Sequence, residues 1–298
     1  MGSDTVCRRR SLTSAANPSL KCQRLLAVSG ALLVLLGLCH LIVYLVLGGL
    51  WEGAVSWRKP ILFGLSTGAT VLSIAWLYPK LKPWTWDTLL CGLFGAAMVG
   101  EVSLICIQQW RGVASHFNRT TEMDSLIESW MTYLIIFATL VLVEFTRRCF
   151  GKMDAQDDLK LAIRGGMTLL IISCLIGFAI LFYGHSQVAN NADPSTFGKA
   201  GVTKFPHGVA IHAIQFFPIA CWLMCKLGLG IERRFQLTAC LVVSTSVFLL
   251  YSLVQTLSGR GRFDFTYSGA ALLALSLLLL LPFVRALFEI KPMYKTTE

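Results

Sequence analysis

Long apolar runs separated by short polar segments make up most of this chain. Each run is long enough to cross the hydrocarbon core of a bilayer, about 30 Å thick, as a helix that rises about 1.5 Å per residue. Prolines and glycines, among them Pro79, Pro83 and Pro206, mark the breaks between runs. The pattern predicts eight transmembrane helices, at about residues 24–48, 60–78, 86–110, 126–146, 161–183, 206–228, 235–257 and 267–288.

The composition agrees with this pattern. Hydrophobic residues make up 55% of the 298 residues and charged residues only 14%, whereas soluble domains carry about a quarter charged residues. We therefore expect an all-α integral membrane protein, a bundle of about eight transmembrane helices in contact with the lipid bilayer. The net charge of +10 is typical of basic loops on one side of a membrane, and we expect no nucleic-acid binding.

The distribution of Lys and Arg predicts the orientation. An even number of spans puts both termini on one side, and termini in the cytosol give 18 of the 26 basic residues to inner segments and 8 to outer ones. The expected location is an endomembrane or the plasma membrane in a eukaryote, or the inner membrane in a bacterium. The sequon Asn118-Arg119-Thr120 then lies outside and predicts a glycoprotein if the source is eukaryotic.

Short motifs recur in the two halves of the chain at similar offsets of 136, 145–146 and 146–147 residues. A four-plus-four duplication would give such offsets, with the halves as parallel repeats about an axis normal to the membrane. Similar chemistry at helix ends is the alternative explanation. The expected organisation is a cytosolic basic tail at 1–23, a first four-helix half at 24–150, a second at 151–290 and a cytosolic tail at 291–298. The paired motifs are Gly48-Gly49 with Gly184-His185, Lys59-Pro60 with Lys204-Phe205-Pro206, and Gln108-x3-Gly112 with Gln255-x3-Gly259.

Polar and ionisable residues concentrate in the outer halves of the spans and in the outer loops, and all five histidines fall in one or the other. Ionisable groups inside a membrane usually face a bundle interior or a water-filled cavity and mark a functional site. The asymmetry predicts a polar intramembrane pocket that faces outward. A structural ion pair that fixes helix packing is the alternative for any single group.

Glu101 lies inside the third apolar run, where a carboxylate costs about 2.5–3.5 kcal/mol on insertion scales. Helical spacing puts Glu101, Gln108 and Arg111 on one face. We expect acid/base roles for a carboxylate and three imidazoles, and binding roles for amide and cationic groups that suit a carboxylate or phosphate. The predicted catalytic residues are Glu101, His116, His207 and His212, and the predicted substrate-binding residues are Lys59, Gln108, Arg111, Asn118, Gln215, Gln255 and Arg262.

No motif for a metal or a cofactor is present, so we predict neither. A b-type haem needs two facing histidines, which His40 with His116 or His212 could supply. Single residues also have structural explanations. A histidine near the membrane interface can extend its polar ring toward the head groups. A polar stripe that includes Gln255 can form hydrogen bonds between helices.

Three motifs resemble those of a group of bacterial multi-pass membrane proteins: Trp57-Arg-Lys-Pro60, Arg111-Gly-x3-His116-Phe-Asn118 and Pro206-His-x4-His212-x2-Gln215-x2-Pro218. In that group a Lys-Pro step precedes span two, an Arg-Gly…His-Phe-Asn run follows span three, and a His…His…Gln run opens span six. The resemblance implies a shared architecture and carries no activity with it. The loop before Pro206 is shorter here than in that group.

The leading hypothesis is a membrane-embedded enzyme that performs acid/base chemistry, of isomerase, cyclase or hydrolase type, on a lipid-like or small amphipathic ligand. The first alternative is a transporter of a small solute or organic anion, because a duplicated bundle with buried charge is a common transporter plan. The second alternative is a haem or quinone redox protein. A homo-oligomer is compatible with all three.

Overall fold

The computed structural model describes residues 18–288, and the predicted tail at 291–298 and most of the predicted tail at 1–23 lie outside this range. The described chain is helical except for a two-stranded hairpin and short loops. In chain order the elements are α1 (Pro18–Leu47), α2 (Arg58–Leu77), a 3-10 turn (Tyr78–Lys80), α3 (Asp87–Trp110), α4 (Glu122–Cys149), α5 (Asp157–Ala189), β1 (Thr196–Phe197), β2 (Gly201–Val202), α6 (Lys204–Ile211), α7 (Ala213–Lys226), α8 (Ile231–Leu257) and α9 (Tyr267–Phe288).

Eight helical spans are long and apolar enough to cross a membrane, which confirms the predicted fold class. An even number of spans leaves residues 18 and 288 at the same end of the bundle. We call that end the terminal face and the opposite end the distal face. The loops at 48–57, 111–121, 190–203 and 258–266 lie on the distal face.

Helix α4 begins at Glu122, about one turn before the predicted apolar run. The Thr121 side chain accepts a hydrogen bond from the Asp124 backbone N–H at 3.1 Å and caps the first turn. The added turn carries Glu122, Asp124 and Ser125. These residues are polar, so the apolar pattern of the sequence does not include them in the span. The cap therefore places two carboxylates at the distal end of a spanning helix.

The sixth span is interrupted. Helix α6 ends at Ile211, α7 begins at Ala213, and His212 lies between them with non-helical angles of φ −92° and ψ 2°. Pro218 lacks the N–H that would bond to the carbonyl of Ile214, and its ring crowds that carbonyl. The sequence predicts a kink at this proline, whereas the interruption lies six residues before it, at His212.

Glycines allow α1 and α2 to pack closely along most of their length. A methyl group on Gly64 would lie 2.7 Å from the Gly37 Cα atom, and one on Gly68 would lie 2.9 Å from the Gly30 carbonyl oxygen. Small residues at such crossings let two backbones approach in a membrane, where no hydrophobic force draws the helices together. This pair forms one wall of the first half.

Each half shows the same helix pairings. In the first half α1 packs on α2 and α3, and α3 packs on α4; in the second, α5 packs on the α6–α7 span and α8, and α8 packs on α9. Between the halves, α4 packs on α5 and α2 packs on α7. We call the α2–α7 contact the seam. The boundaries of the halves remain a prediction.

Candidate functional site

Glu128 on α4 holds the distal loop that follows α3. Its side chain is only 2% exposed. It accepts hydrogen bonds from the Phe117 backbone N–H at 2.7 Å and from Arg119 Nε at 2.8 Å, and it lies 3.2 Å from His185 Nε2 on α5. Phe117 has a φ of 61°, in the left-handed region that costs a bulky residue energy. This carboxylate stabilises the strained turn and joins it to the second half.

Asp124, one turn nearer the distal face, holds the end of α3. Its Oδ1 atom accepts hydrogen bonds from Arg111 at 2.7 Å and from Gln108 Nε2 at 3.1 Å, and its Oδ2 atom accepts from Thr121 at 2.7 Å. Arg111 also donates to Gln108 Oε1. Gln108 and Arg111 therefore bond to each other and to Asp124, and this network holds the distal end of α3 against α4.

Asn118 belongs to the same loop and is 6% exposed. Its Nδ2 atom donates to the Ala114 carbonyl at 3.1 Å, and its Oδ1 atom accepts from Thr120 Oγ1 at 2.8 Å. The sequon therefore lies in an ordered turn with its amide engaged. This geometry gives no support to the predicted glycosylation.

Sequence reasoning missed both Asp124 and Glu128. The sequence does carry a signal for them, because Thr121 and Asp124 have the spacing of a helix cap and Asp124 and Glu128 are four residues apart on one helix face. Two carboxylates on that face, after a loop with Arg111 and Arg119, predict that the loop folds back onto α4.

His116 lies among cationic groups. Its Nδ1 atom is 2.9 Å from Ser115 Oγ, and its ring packs on that of Phe63 at 5.6 Å between centroids. Burial, and then the positive charges of Lys59, Lys204 and His185, lower the pKa of His116 to about 3. The imidazole is therefore neutral at physiological pH, and two lysines from different halves lie close enough to act on it.

Lys59 and Lys204 stand in the first turns of α2 and α6. Lys59 Nζ donates to the Ala54 carbonyl at 2.5 Å, and no ion pair to either lysine exists within residues 18–288. Neither helix has a side-chain cap at its start, at Trp57 or at Thr203. Uncapped helix N-termini favour negative charge. Two cations and two helix N-termini therefore make this part of the distal face suited to an anion.

The nearest acidic group to Lys204 is already engaged. Asp193 accepts hydrogen bonds from Thr196 Oγ1 at 2.6 Å, from Ser195 Oγ at 2.7 Å and from the Ser195 backbone N–H at 2.9 Å. Those bonds, that from Thr196 first, lower the pKa of Asp193, and Lys204 contributes least. Asp193 therefore helps to shape the loop, and no ion pair joins it to Lys204.

Glu101 lies deeper, on α3, and is 6% exposed. Its Oε2 atom has no hydrogen-bond partner in the described part of the chain. Arg111, at the end of the same helix, pairs with Asp124, and Lys59 donates to a backbone carbonyl, so neither cation pairs with Glu101. The structure thus does not join Glu101 to the predicted polar cluster and leaves it as an isolated buried carboxyl.

The two histidines of the sixth span have different surroundings. His207 Nδ1 is 2.9 Å from both Oγ and the backbone carbonyl of Ser173 on α5, so this ring joins two helices. His212 is exposed at the interruption, where its carbonyl accepts hydrogen bonds from Gln215 and Phe216. No hydrogen bond within residues 18–288 joins either imidazole to Glu101.

Of the remaining predicted binding residues, Gln215 belongs to the seam, Gln255 lies in the last turn of α8, and Arg262 lies in the loop before α9. The Gln215 amide lies 3.0 Å from Thr70 Oγ1. Gln255 is 1% exposed and donates to the Asp264 carbonyl at 2.6 Å, so it fixes that loop. Arg262 is exposed and lies over the Phe205 ring at 5.8 Å.

His40 is fully engaged by its neighbours. Its Nδ1 atom is 2.8 Å from the Leu36 carbonyl, and its Nε2 atom accepts a hydrogen bond from Trp110 Nε1 at 3.1 Å. Ligation of a haem by His40 would break one of these contacts. Within residues 18–288, no three His, Cys, Asp or Glu side chains group closely enough to hold a metal ion.

Among the grooves on the surface of residues 18–288, two have no predicted catalytic residue in their lining. One, of about 560 Å³, lies beside the first turns of α4 between Arg119 and Ser129. The other, of about 870 Å³, lies near the terminal face between α3 and α4. We call Lys59, Lys204 and the N-termini of α2 and α6 the distal cationic cluster; its charges and helix ends define it, and neither groove does.

Comparison with known proteins adds no relative to this description. The chain matches no protein-family model, no curated protein and no solved structure, so the bacterial group that its motifs resemble is not identified as its family. Eight long apolar helices, with ionisable groups buried between them, show a multi-pass integral membrane protein.

Proposed function

We propose that the protein is a transporter that receives an organic anion between its two halves at the distal face. The observation that carries this proposal is the pair Lys59 and Lys204, one from each half, both without an acidic partner within residues 18–288 and both acting on the neutral His116 ring. Lys59 is partly buried and Lys204 is exposed, and a partly buried cation is usually paired. A negatively charged ligand would supply the missing partner.

The relation of the two lysines supports a site on a pseudo-two-fold axis. Lys59 precedes Thr70 by eleven residues, and Lys204 precedes Gln215 by eleven. The Thr70–Gln215 contact joins residues 145 apart, the offset of the predicted repeat. In parallel repeats, equivalent positions meet at the axis. Lys59 and Lys204 therefore also occupy equivalent positions, about three helical turns (roughly 16 Å) from the Thr70–Gln215 contact toward the distal face.

Two further features favour transport over catalysis. The sixth span is discontinuous at His212, and discontinuous helices line the binding sites of many transporters. Glu101 is buried, unpaired and separate from the histidines, as expected of a group that carries a proton and not of one that orients a catalytic imidazole. We propose Glu101 as the proton-coupling residue.

The test begins with binding. Thermal unfolding of the detergent-purified protein is measured with a panel of dicarboxylates, aryl sulfonates and long-chain carboxylates, and an anion that stabilises it is used for counterflow in proteoliposomes. Lys59→Gln and Lys204→Gln should each weaken uptake at least tenfold. Lys199→Gln, an exposed lysine in the distal hairpin, is the matched control. Equal losses in all three variants would remove the basis of the proposal.

Proton coupling has its own measurement. Uptake of the same anion should rise with an imposed pH gradient in the wild type, and Glu101→Gln should abolish that response while exchange at equal pH continues. An unchanged response to the gradient in Glu101→Gln would show that Glu101 does not couple protons.

A membrane-embedded acid/base enzyme is the second candidate, because His116 offers a neutral imidazole beside the same cations. A bound anion would offset the charges of Lys59 and Lys204 and make the ring a stronger base. Mass spectrometry of the incubated ligand would then show a product, and His116→Asn would lose turnover while binding remains. Counterflow without chemical change would exclude this candidate for that ligand.

We also propose that both termini face the cytosol. The terminal face carries the larger share of basic residues, as the positive-inside rule requires. A cysteine placed at exposed Lys199 should react with an impermeant maleimide in intact cells, and one placed at exposed Lys152 should react only after lysis. The reverse pattern would invert the topology.

A further inference from the structure

The groove of about 870 Å³ near the terminal face combines an apolar wall with a cationic mouth. Leu90, Phe137 and Leu140 of α3 and α4 form part of its wall, and Lys82, Arg147 and Lys152 lie at its mouth. The wall belongs to two spanning helices, whereas the lysines belong to loops beside them. The groove thus extends from the loop region into the span.

The mouth carries an excess of positive charge. Arg147 is paired with Glu144 at 2.7 Å, and Arg148 is paired with Asp87 at 2.7 Å. These two pairs are neutral overall. Lys82 and Lys152 are exposed and have no ion pair within residues 18–288. Two charges are therefore available to a ligand.

The loop that carries Lys82 is held in place from inside the bundle. Arg148 is 9% exposed and donates both to the Lys82 backbone carbonyl at 2.6 Å and to Asp87. Asp87 in turn accepts from the Trp84 backbone N–H at 2.7 Å. The cationic mouth is therefore preformed, because its loop is fixed by a buried ion pair.

The position of the groove in the membrane selects the ligand. Trp84 lines the groove and Trp86 is exposed beside it, and tryptophans favour the level of the lipid head groups. A soluble anion could use the lysines but not the apolar wall, and a zwitterionic lipid could use the wall but not the net charge. Basic pockets between spanning helices bind anionic head groups.

We propose that this groove binds an anionic glycerophospholipid of the adjacent leaflet. The phosphate contacts Lys82 and Lys152, and an acyl chain runs along Leu90, Phe137 and Leu140. The site is separate from the distal cationic cluster, which lies at the other end of the bundle. It therefore does not depend on the proposed transport function.

Native mass spectrometry of the full chain, released from nanodiscs of equal parts phosphatidylglycerol and phosphatidylcholine, tests the proposal. We expect at least one phosphatidylglycerol to be retained in preference to phosphatidylcholine. The double variant Lys82→Gln/Lys152→Gln should reduce that preference about thirtyfold, since each of the two basic residues near an anionic surface contributes about 1 kcal/mol and about 1.4 kcal/mol corresponds to a factor of ten. An unchanged preference in the double variant would overturn the site.

Two controls keep the result specific. Lys226→Gln, at the end of α7 on the same face but outside the groove, should retain the preference; an equal loss there would overturn the site in favour of general surface charge. Soluble glycerol phosphate should compete poorly with the lipid. Competition at equal concentration would show that the apolar wall contributes nothing and would overturn a lipid ligand.

Lys82 and Lys152 are both exposed, so the unfolding temperature of the double variant should equal that of the wild type.

Discussion

At the scale of single residues, the chain buries two glutamates in opposite surroundings. Glu128 accepts hydrogen bonds from a backbone N–H and from Arg119 and lies beside His185, whereas Glu101 Oε2 has no partner in the described chain. A buried polar group is costly without hydrogen bonds and stabilising with them. Glu128 therefore supports the fold, whereas no hydrogen bond in the described chain offsets the cost of burying Glu101 Oε2.

Conservative amide variants should separate these two roles. Glu101→Gln should leave the unfolding temperature unchanged or raise it, because a neutral amide is cheaper to bury than an unpaired carboxylate. Glu128→Gln should lower stability by about 1–3 kcal/mol, because the charge-assisted bond to Arg119 and the contact with His185 are lost. Thermal unfolding in detergent measures both. A larger loss in Glu101→Gln than in Glu128→Gln would contradict this assignment.

His116 gives the protein a pH-dependent stability. Its pKa is about 3 in the folded chain and near 6.5 when unperturbed, so the unfolded state binds more protons between these values. Stability should therefore fall as pH decreases through this window, by up to about 1.4 kcal/mol per pH unit. His116→Asn should flatten the dependence of the unfolding temperature on pH between 6.5 and 4.

Lys59→Gln provides a graded control for that measurement. It removes one of the charges that lower the pKa of His116. The pH range over which the unfolding temperature falls should therefore become narrower without disappearing. An identical slope in the wild type, His116→Asn and Lys59→Gln would assign the pH dependence to other groups.

At the scale of elements, apolar length alone predicts all eight spans, because only a helix satisfies its own backbone in lipid. The ends and interruptions of helices depend on other chemistry. The Thr121 cap adds a polar turn to α4, and the interruption at His212 lies away from Pro218. The loop after α3 could not be placed from the sequence, because its position depends on side chains of α4.

The α1–α2 crossing should be the most sensitive helix contact to added volume. Gly64→Ala puts a methyl group 2.7 Å from the Gly37 Cα atom and should destabilise the protein by about 1–3 kcal/mol. Gly92→Ala on α3, whose nearest neighbour would be Leu25 Cδ1 at 3.9 Å, should be neutral or stabilising by up to about 1 kcal/mol. Equal effects in thermal unfolding would show that the helices do not approach as closely as described.

At the scale of the whole molecule, the sequence predicts that polar groups concentrate near the distal face. It does not predict which of them hold loops and which remain unpaired. Gln108, Arg111, Asn118 and Gln255 are engaged in holding loops, whereas Lys59 and Lys204 remain unpaired within residues 18–288. The way each loop folds back on the neighbouring helix end decides this division, and a single sequence does not display that loop conformation. The depth of Glu101 was predictable; its isolation was not.

The seam can be tested by joining the halves. In a background without other reactive cysteines, Thr70→Cys with Gln215→Cys should cross-link, since the native side chains approach to 3.0 Å. Locking this contact should stop counterflow, and reduction should restore it. Cysteines at Leu72 and Ile219, exposed on the same two helices, serve as the control pair. Full uptake by the cross-linked protein would show that the halves do not move at this contact.

The Thr70–Gln215 contact also bears on the origin of the chain. If the halves are repeats, Thr70 and Gln215 are equivalent positions. In a dimer of identical four-span subunits, that position would contact the same position of the other subunit, and the equivalent lysine of each subunit would supply the two cations. A fusion of two gene copies would let each half change independently. On this hypothesis, Glu101 and His116 are specialisations of the first half, and the interrupted helix is a specialisation of the second.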